Sequence, residues 1–281
     1  MSEPAPRISE RYHPTRLLGE GGFGEVWQAF DAVRREPVAL KLMSRVVAEE
    51  ARLRFQREAA ALLGLDHPCI VRALGQGTTT DGIPFLVTEL LRGQELRQRL
   101  TEQLSLSVPE TADILQQICA GLSYMHERGL VHRDVKPSNA FLVEGATGLG
   151  RVKLLDVGMT KARGLETLTT TGDILGTPYY TSPEQIHDSK RVDSRSDLWA
   201  LGVVVYECLT GYRPFEAKTP VSLYRAIDRS LYHPASSVGA PSALDAWFEK
   251  ALHPHPDARF QTAQELYDGF IGVSVRARLL G

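Results

Sequence analysis

Leu130-Val131-His132-Arg133-Asp134-Val135-Lys136-Pro137-Ser138-Asn139-Ala140-Phe141-Leu142-Val143 sets Asp134, Lys136 and Asn139 within six residues, with the helix-breaking Pro137 among them. A polar surface turn explains one such residue easily, but not all three at one mouth. Immediately downstream, AFLV (140–143) and VKLL (152–155) read as strands joined by the turn EGATGLGR. Antiparallel pairing lays the start of the first beside the end of the second, which brings Asn139 next to Asp156. Two oxygen donors then converge, a set suited to magnesium, which takes one or two protein groups plus phosphates.

Upstream, Gly19-Glu20-Gly21-Gly22-Phe23-Gly24 matches G-x-G-x-x-G, a spacing that lets backbone amides approach phosphate oxygens. An ordinary glycine turn or a Rossmann loop would show the same letters. The context separates them, because a Rossmann loop opens a helix, whereas here EVWQAF and then PVALKLM are strand-like. The glycines therefore cap a β-hairpin, with Leu18 and Val26 flanking it as an apolar lid for a flat base. Lys41 ends the apolar run Val38-Ala39-Leu40, and an inward ammonium there needs a partner. A helix over roughly 48–65 carries Phe55, Leu62 and Leu63 as a stripe with Glu58 on it. An exposed Lys–Glu pair is worth only about 0–1 kcal/mol, so a Lys41–Glu58 pair is expected to aim Lys41 at a phosphate. Asp134, with Lys136 two residues on to neutralise a transferring phosphoryl group, is assigned to the acceptor hydroxyl. An aspartate is a weak base, so orientation and late proton acceptance suit it better than early abstraction.

Bulk properties are consistent with a globular chain. The 281 residues are 43% hydrophobic, and 32 basic against 34 acidic residues give a formal charge of −2. No broad cationic face exists to attract nucleic acid or anionic lipid, so phosphate recognition must be local. Cys69, Cys119 and Cys208 show neither disulfide nor zinc spacing, which fits a reducing cytoplasm. The longest apolar run, Leu198–Tyr206, is about half a membrane span, so a soluble chain is expected.

In this order the motifs resemble the eukaryotic-like (Hanks-type) serine/threonine protein kinases, over about 12–271 of the chain. GTPYYTSPEQ (176–185) is most similar to bacterial members. The resemblance implies an α+β bilobal fold. Its small N-terminal antiparallel β lobe with one key helix covers 12–90, its larger mainly α-helical lobe 91–271, and 272–281 form a tail or the start of a linker. It implies ATP with Mg2+, Mn2+ being the alternative, and catalytic roles for Asp134, Lys136 and Lys41. Around the nucleotide it sets Leu18, Gly19, Glu20, Gly21, Gly22, Phe23, Gly24, Val26, Ala39, Lys41, Glu58, Thr88, Glu89, Leu91 and Phe141. Asn139 and Asp156 become metal ligands. Arg133, Val157, Glu184, Asp197 and Arg259 look structural, with Glu184 pairing Arg259 and Asp197 anchoring the catalytic loop from a buried helix.

Two departures from the family pattern stand out: DVG replaces DFG, and SPE replaces APE. Neither removes a chemical group, although the smaller Val157 loosens the packing there. Lys136 and Thr177 favour Ser/Thr over Tyr specificity. Thr169 and Thr171, eight and six residues before Thr177, are the expected phosphorylation sites, since phosphothreonine can order a loop against an arginine such as Arg133. The partners expected are proteins with Ser/Thr acceptors, with neither nucleic acid nor membrane, and the family also offers a homodimer through the N-lobe. A pseudokinase scaffold and a small-molecule phosphotransferase are the rivals. The first usually lacks one of the polar groups present here, and the second would not need the segment ending in GTPYYTSPEQ.

Overall fold

Residue alternation builds the first sheet of the computed structural model, which describes residues 8–21, 24–44, 49–145, 150–156, 178–187 and 192–280, with side chains at 49–51, 54, 58 and 275–280 outside that description. Strands β1 (Tyr12–Gly21) and β2 (Gly24–Asp31) pair antiparallel from Tyr12 opposite Asp31 to Gly21 opposite Gly24, so the glycine stretch does cap a hairpin. In β3 (Glu36–Met43), Val38, Leu40 and Leu42 are buried, while Ala39 and Lys41 lie on the opposite face, as a period of two requires. With β4 (Ala73–Thr78) and β5 (Pro84–Glu89) the sheet is antiparallel in the order β1-β2-β3-β5-β4.

Helix α1 (Glu49–Leu63) packs on β4 and β5. Its buried stripe is Phe55, Ala59 and Leu62, which join Val38, Leu40 and Val87 in the small-lobe core. Leu63, expected on that stripe, is 41% exposed. The i, i+4, i+7 spacing selects Ala59 and turns Leu63 outward.

The second part begins with β6 (Gly93–Glu95), α2 (Leu96–Gln103) and α3 (Val108–His126), followed by β7 (Ala140–Val143) and β8 (Val152–Leu154) in a small sheet of order β6-β7-β8. Gly93 has φ +139°, and a Cβ there would lie 2.0 Å from the Leu142 carbonyl oxygen. Only glycine allows β6 so close to β7. Helices α4 (Pro183–His187), α5 (Ser194–Thr210), α6 (Pro220–Asp228), α7 (Asp245–Ala251) and α8 (Ala263–Leu280) complete the lobe.

Helix α5 is its axis. Apolar on nearly every side, it is buried from Ser196 to Thr210, capped by Asp193 at its start and by Gly211, φ +77°, at its end. Trp199 stacks on Phe215 at 5.5 Å, and Tyr206, Phe248 and Phe270 extend that core. Residues 272–280, expected as a tail or the start of a linker, continue α8, since no breaker interrupts VSVRARLL. Cys69, Cys119 and Cys208 are buried free thiols. Among the described residues, no helix is long and apolar enough to cross a membrane.

Candidate active site

The loop between α3 and β7 is held from beneath by α5. Asp197, 1% exposed in the first turn of α5, accepts from the backbone N–H groups of His132 (2.9 Å) and Arg133 (2.7 Å), and its Oδ2 lies 2.8 Å from His126 Nε2. The helix N-terminus favours a carboxylate there. Arg133 sits at φ +67°. A side-chain-bearing residue in that region costs on the order of 1 kcal/mol or more, which the two anchored N–H groups help to offset.

Asp134 follows. Its Oδ2 accepts from Lys136 Nζ at 2.7 Å and from Asn139 Nδ2 at 2.9 Å, and its carbonyl accepts from the same amide at 2.8 Å. The single 3-10 turn Pro137–Asn139 produces this convergence, with Asn139 N–H closing on the Lys136 carbonyl at 2.9 Å. Both amide hydrogens of Asn139 thus serve Asp134, which leaves Oδ1 as the atom of that amide able to accept from a donor or a cation.

β7 and β8 pair antiparallel with Ala140 opposite Leu154, and Leu155 N–H donates to the Asn139 carbonyl at 2.8 Å. The end of β8 therefore delivers Asp156 beside Asn139. Asp156, at φ +53°, accepts from Lys41 Nζ at 2.6 Å. Burial pushes its carboxyl up, but the Lys41 ammonium and its hydrogen bond, with His132 and Lys136, hold it below the ordinary carboxylate range. The partner expected for Lys41 was Glu58, whose side chain lies outside the described residues. The Lys41–Asp156 bond forms where β3 turns Lys41 toward the end of β8.

The remaining nucleotide candidates sit mainly around the hairpin and the junction. Leu18, Gly19, Glu20 and Gly21 lie on β1, with Gly19 opposite Val26 and Glu20 opposite Glu25. Gly24 has φ +132°, and a Cβ there would come within 1.9 Å of the Leu42 carbonyl oxygen. Val26 is opposite Lys41, and Ala39 is opposite Thr88, so these four share one patch of sheet. The Glu89 side chain accepts from Lys153 Nζ at 2.6 Å and from the Arg72 N–H at 2.8 Å. A carboxylate at the sheet's end takes the ammonium that β8 presents, leaving the Glu89 backbone at the junction. Leu91 follows there, half-buried. Phe141 pairs across to Glu95 on one side and Lys153 on the other. Gly22, Phe23, Val157, Thr169 and Thr171 lie outside the described residues.

Sequence reasoning missed Glu95. It stands opposite Phe141 and is exposed overall, yet partial burial and the charge of Asp156 raise its carboxyl against the opposing Arg97 and Lys136. Its one visible signal was an acid directly after the lobe junction.

Beyond the loop, Arg259 grips Glu184 with two 2.8 Å bonds, Nη1 to Oε1 and Nη2 to Oε2. Its side chain is fully buried over Trp199, and Ser196 Oγ completes the Glu184 shell. Tyr180 donates to Glu207 at 2.5 Å, and Arg97 chelates the same carboxylate. The segment 178–187 is thereby bolted to α5 and α2.

A strand lobe with a glycine hairpin and an inward lysine, beside a helical lobe presenting two aspartates and an asparagine, is the arrangement of the kinase class of folds. The protein kinase domain family matches residues 12–279, and the chain belongs to it. It is 35% identical over 281 residues to the serine/threonine-protein kinase PknB of Mycobacterium leprae, covering 97% of this chain and 44% of that protein. Against PknB of Mycobacterium tuberculosis it is 34% identical over 275 residues, covering 95% and 43%. Against the probable serine/threonine-protein kinase PknB of Corynebacterium glutamicum it is 35% identical over 272 residues, covering 92% and 41%. This is a Hanks-type kinase domain resembling bacterial members, and it spans well under half the length of these curated relatives.

Proposed function

We propose that this domain transfers the γ-phosphate of ATP to serine and threonine hydroxyls of protein substrates, in the cytoplasm. One observation carries the reading. Asp134, paired with Lys136 and hydrogen-bonded by Asn139, stands in the loop before β7, while Asp156, paired with Lys41, follows the end of β8. Two carboxylates with separate partners suit two jobs, the acceptor hydroxyl and the phosphates.

The glycine hairpin and Lys41 bind and orient the phosphates, with Leu18, Val26, Ala39 and Thr88 enclosing the base. Asp134 orients the acceptor hydroxyl toward the γ-phosphate and takes its proton late, while Lys136 offsets charge on the transferring group. Asn139 Oδ1 and the Asp156 carboxylate are hard oxygen donors, a set that fits Mg2+ completed by phosphates and water. That ion would neutralise phosphate charge. The buried free thiols support a reducing setting.

Incubation with ATP labelled at the γ-phosphate, Mg2+ and a generic protein acceptor tests this, with phosphoamino-acid analysis of the product. Label is expected on serine and threonine. Nucleotide binding without transfer would refute it in favour of a scaffold. Autophosphorylation of Thr169 and Thr171 belongs to the same reading on sequence grounds, and an unmodified loop in an active preparation, read by mass spectrometry, would remove it.

A further inference from the structure

We propose that Gln185 is a positioning residue for phosphoryl transfer, tying the segment that seats the acceptor peptide to the backbone that aims Asp134. The inference rests on the kinase reading above. Gln185 lies in α4, one residue after Glu184, and its amide reaches in two directions. Oε1 accepts from the backbone N–H of Ser182 at 3.0 Å and from its hydroxyl at 3.0 Å. Nε2 donates to the carbonyl of Arg133 at 3.0 Å, across 52 residues of sequence. Reversing the amide would set N–H against N–H and oxygen against oxygen, so one orientation alone satisfies all three bonds.

The carbonyl that Gln185 holds belongs to the peptide plane between Arg133 and Asp134. The other edge of that plane, the Asp134 N–H, points to His132 Nδ1 at 3.3 Å, and the N–H of Arg133 is fixed by Asp197. With Arg133 at φ +67°, this plane sets the direction in which the Asp134 side chain leaves the chain. Asp197 and His132 belong to the buried frame of the lobe. Gln185 comes instead from the 178–187 segment, where Tyr180 is tied to Glu207. A displacement of that segment therefore reaches Asp134 as a rotation of its own peptide plane, and small misplacements of a catalytic group carry large rate losses.

Gln185→Met removes all three bonds. Gln185→Glu keeps both bonds from Ser182 but cannot donate to Arg133, so it isolates the link to the catalytic loop. Steady-state kinetics of both variants and the wild type, with a protein acceptor, are expected to show kcat lowered about tenfold or more in each. The KM for ATP is expected to stay within about twofold of wild type, the split that separates positioning from lost nucleotide binding. Melting transitions should be close to wild type. Wild-type kcat in folded Gln185→Glu would overturn the inference, as would a loss confined to the acceptor KM. Failure of both variants to fold would also overturn it, by making Gln185 a structural residue. Absence of transfer by the wild type would instead remove the kinase reading itself, so the two failures are distinguishable.

Discussion

On the large-lobe side of the site, Asp134 is fixed by partners drawn from its own lobe: Lys136 and Asn139 at its carboxylate, with Asp197 and Gln185 at the preceding backbone. On the small-lobe side, Lys41 meets that lobe through a bond to Asp156 at 2.6 Å, spanning 115 residues of sequence. The first arrangement is a pre-assembled frame, the second a contact made across a junction. The half proposed to handle the acceptor should therefore survive perturbation of the other lobe, whereas the half proposed to handle phosphates depends on how the lobes meet.

Breaking the frame should cost most in stability. Replacing Arg259 with leucine leaves the Glu184 carboxylate buried without its cation, and a loss of about 3–5 kcal/mol is expected. Denaturant unfolding reads it directly, and a change below about 1 kcal/mol would mean the pair is dispensable. Burial and Arg259 oppose one another at Glu184, with the arginine prevailing to hold its carboxyl low, which is why removing the cation is so costly.

Breaking the junction should act through pH. Asp156 has a depressed carboxyl in the folded protein, so it contributes stability above the ordinary carboxylate value of about 4, and that contribution disappears as pH falls through and below it. In Lys41→Met the largest opposition to burial is removed, so the depression and the stability it contributes are reduced. The wild type should consequently melt above the variant at pH 7, with the gap closing toward pH 3. A gap independent of pH would show that Lys41 does not govern Asp156.

The smallest effect is expected within the small lobe and away from the site. Arg11 bonds the fully buried Asp31 carboxylate and holds it down to about 2. Because Arg11 is partly exposed and the Asp31 carboxylate keeps the Val33 and Arg34 N–H groups and the Arg34 guanidinium, Arg11→Ala should lower stability by at most about 1 kcal/mol at neutral pH. That difference should shrink as pH falls from about 4 toward 2, with transfer kinetics unchanged. An altered kcat would mean that this distant end of the small lobe is coupled to the site.

Much of this was legible in the sequence wherever the information is local. The alternation through Val38, Leu40 and Leu42 placed Lys41 on the open face, and the two strands after Asn139 placed Asp156 beside it. What the sequence concealed depends on helix phase or distant register. Leu63 reads like Leu62 in a hydrophobic count, yet one residue rotates a helix far enough to expose it. The Lys41–Asp156 bond spans 115 residues of sequence and forms only because β3 approaches the end of β8. Gln185 carries no local signal, since the carbonyl it holds lies 52 residues away.

The division of labour between the two aspartates is tested most directly by measuring ATP–Mg2+ affinity and acceptor phosphorylation together in Asp134→Asn and Asp156→Asn. Asp134→Asn should bind ATP–Mg2+ like the wild type while transfer falls about 10²–10⁴-fold, and Asp156→Asn should lose both. Transfer by Asp134→Asn close to the wild-type rate, or loss of nucleotide affinity in that variant, would contradict the account.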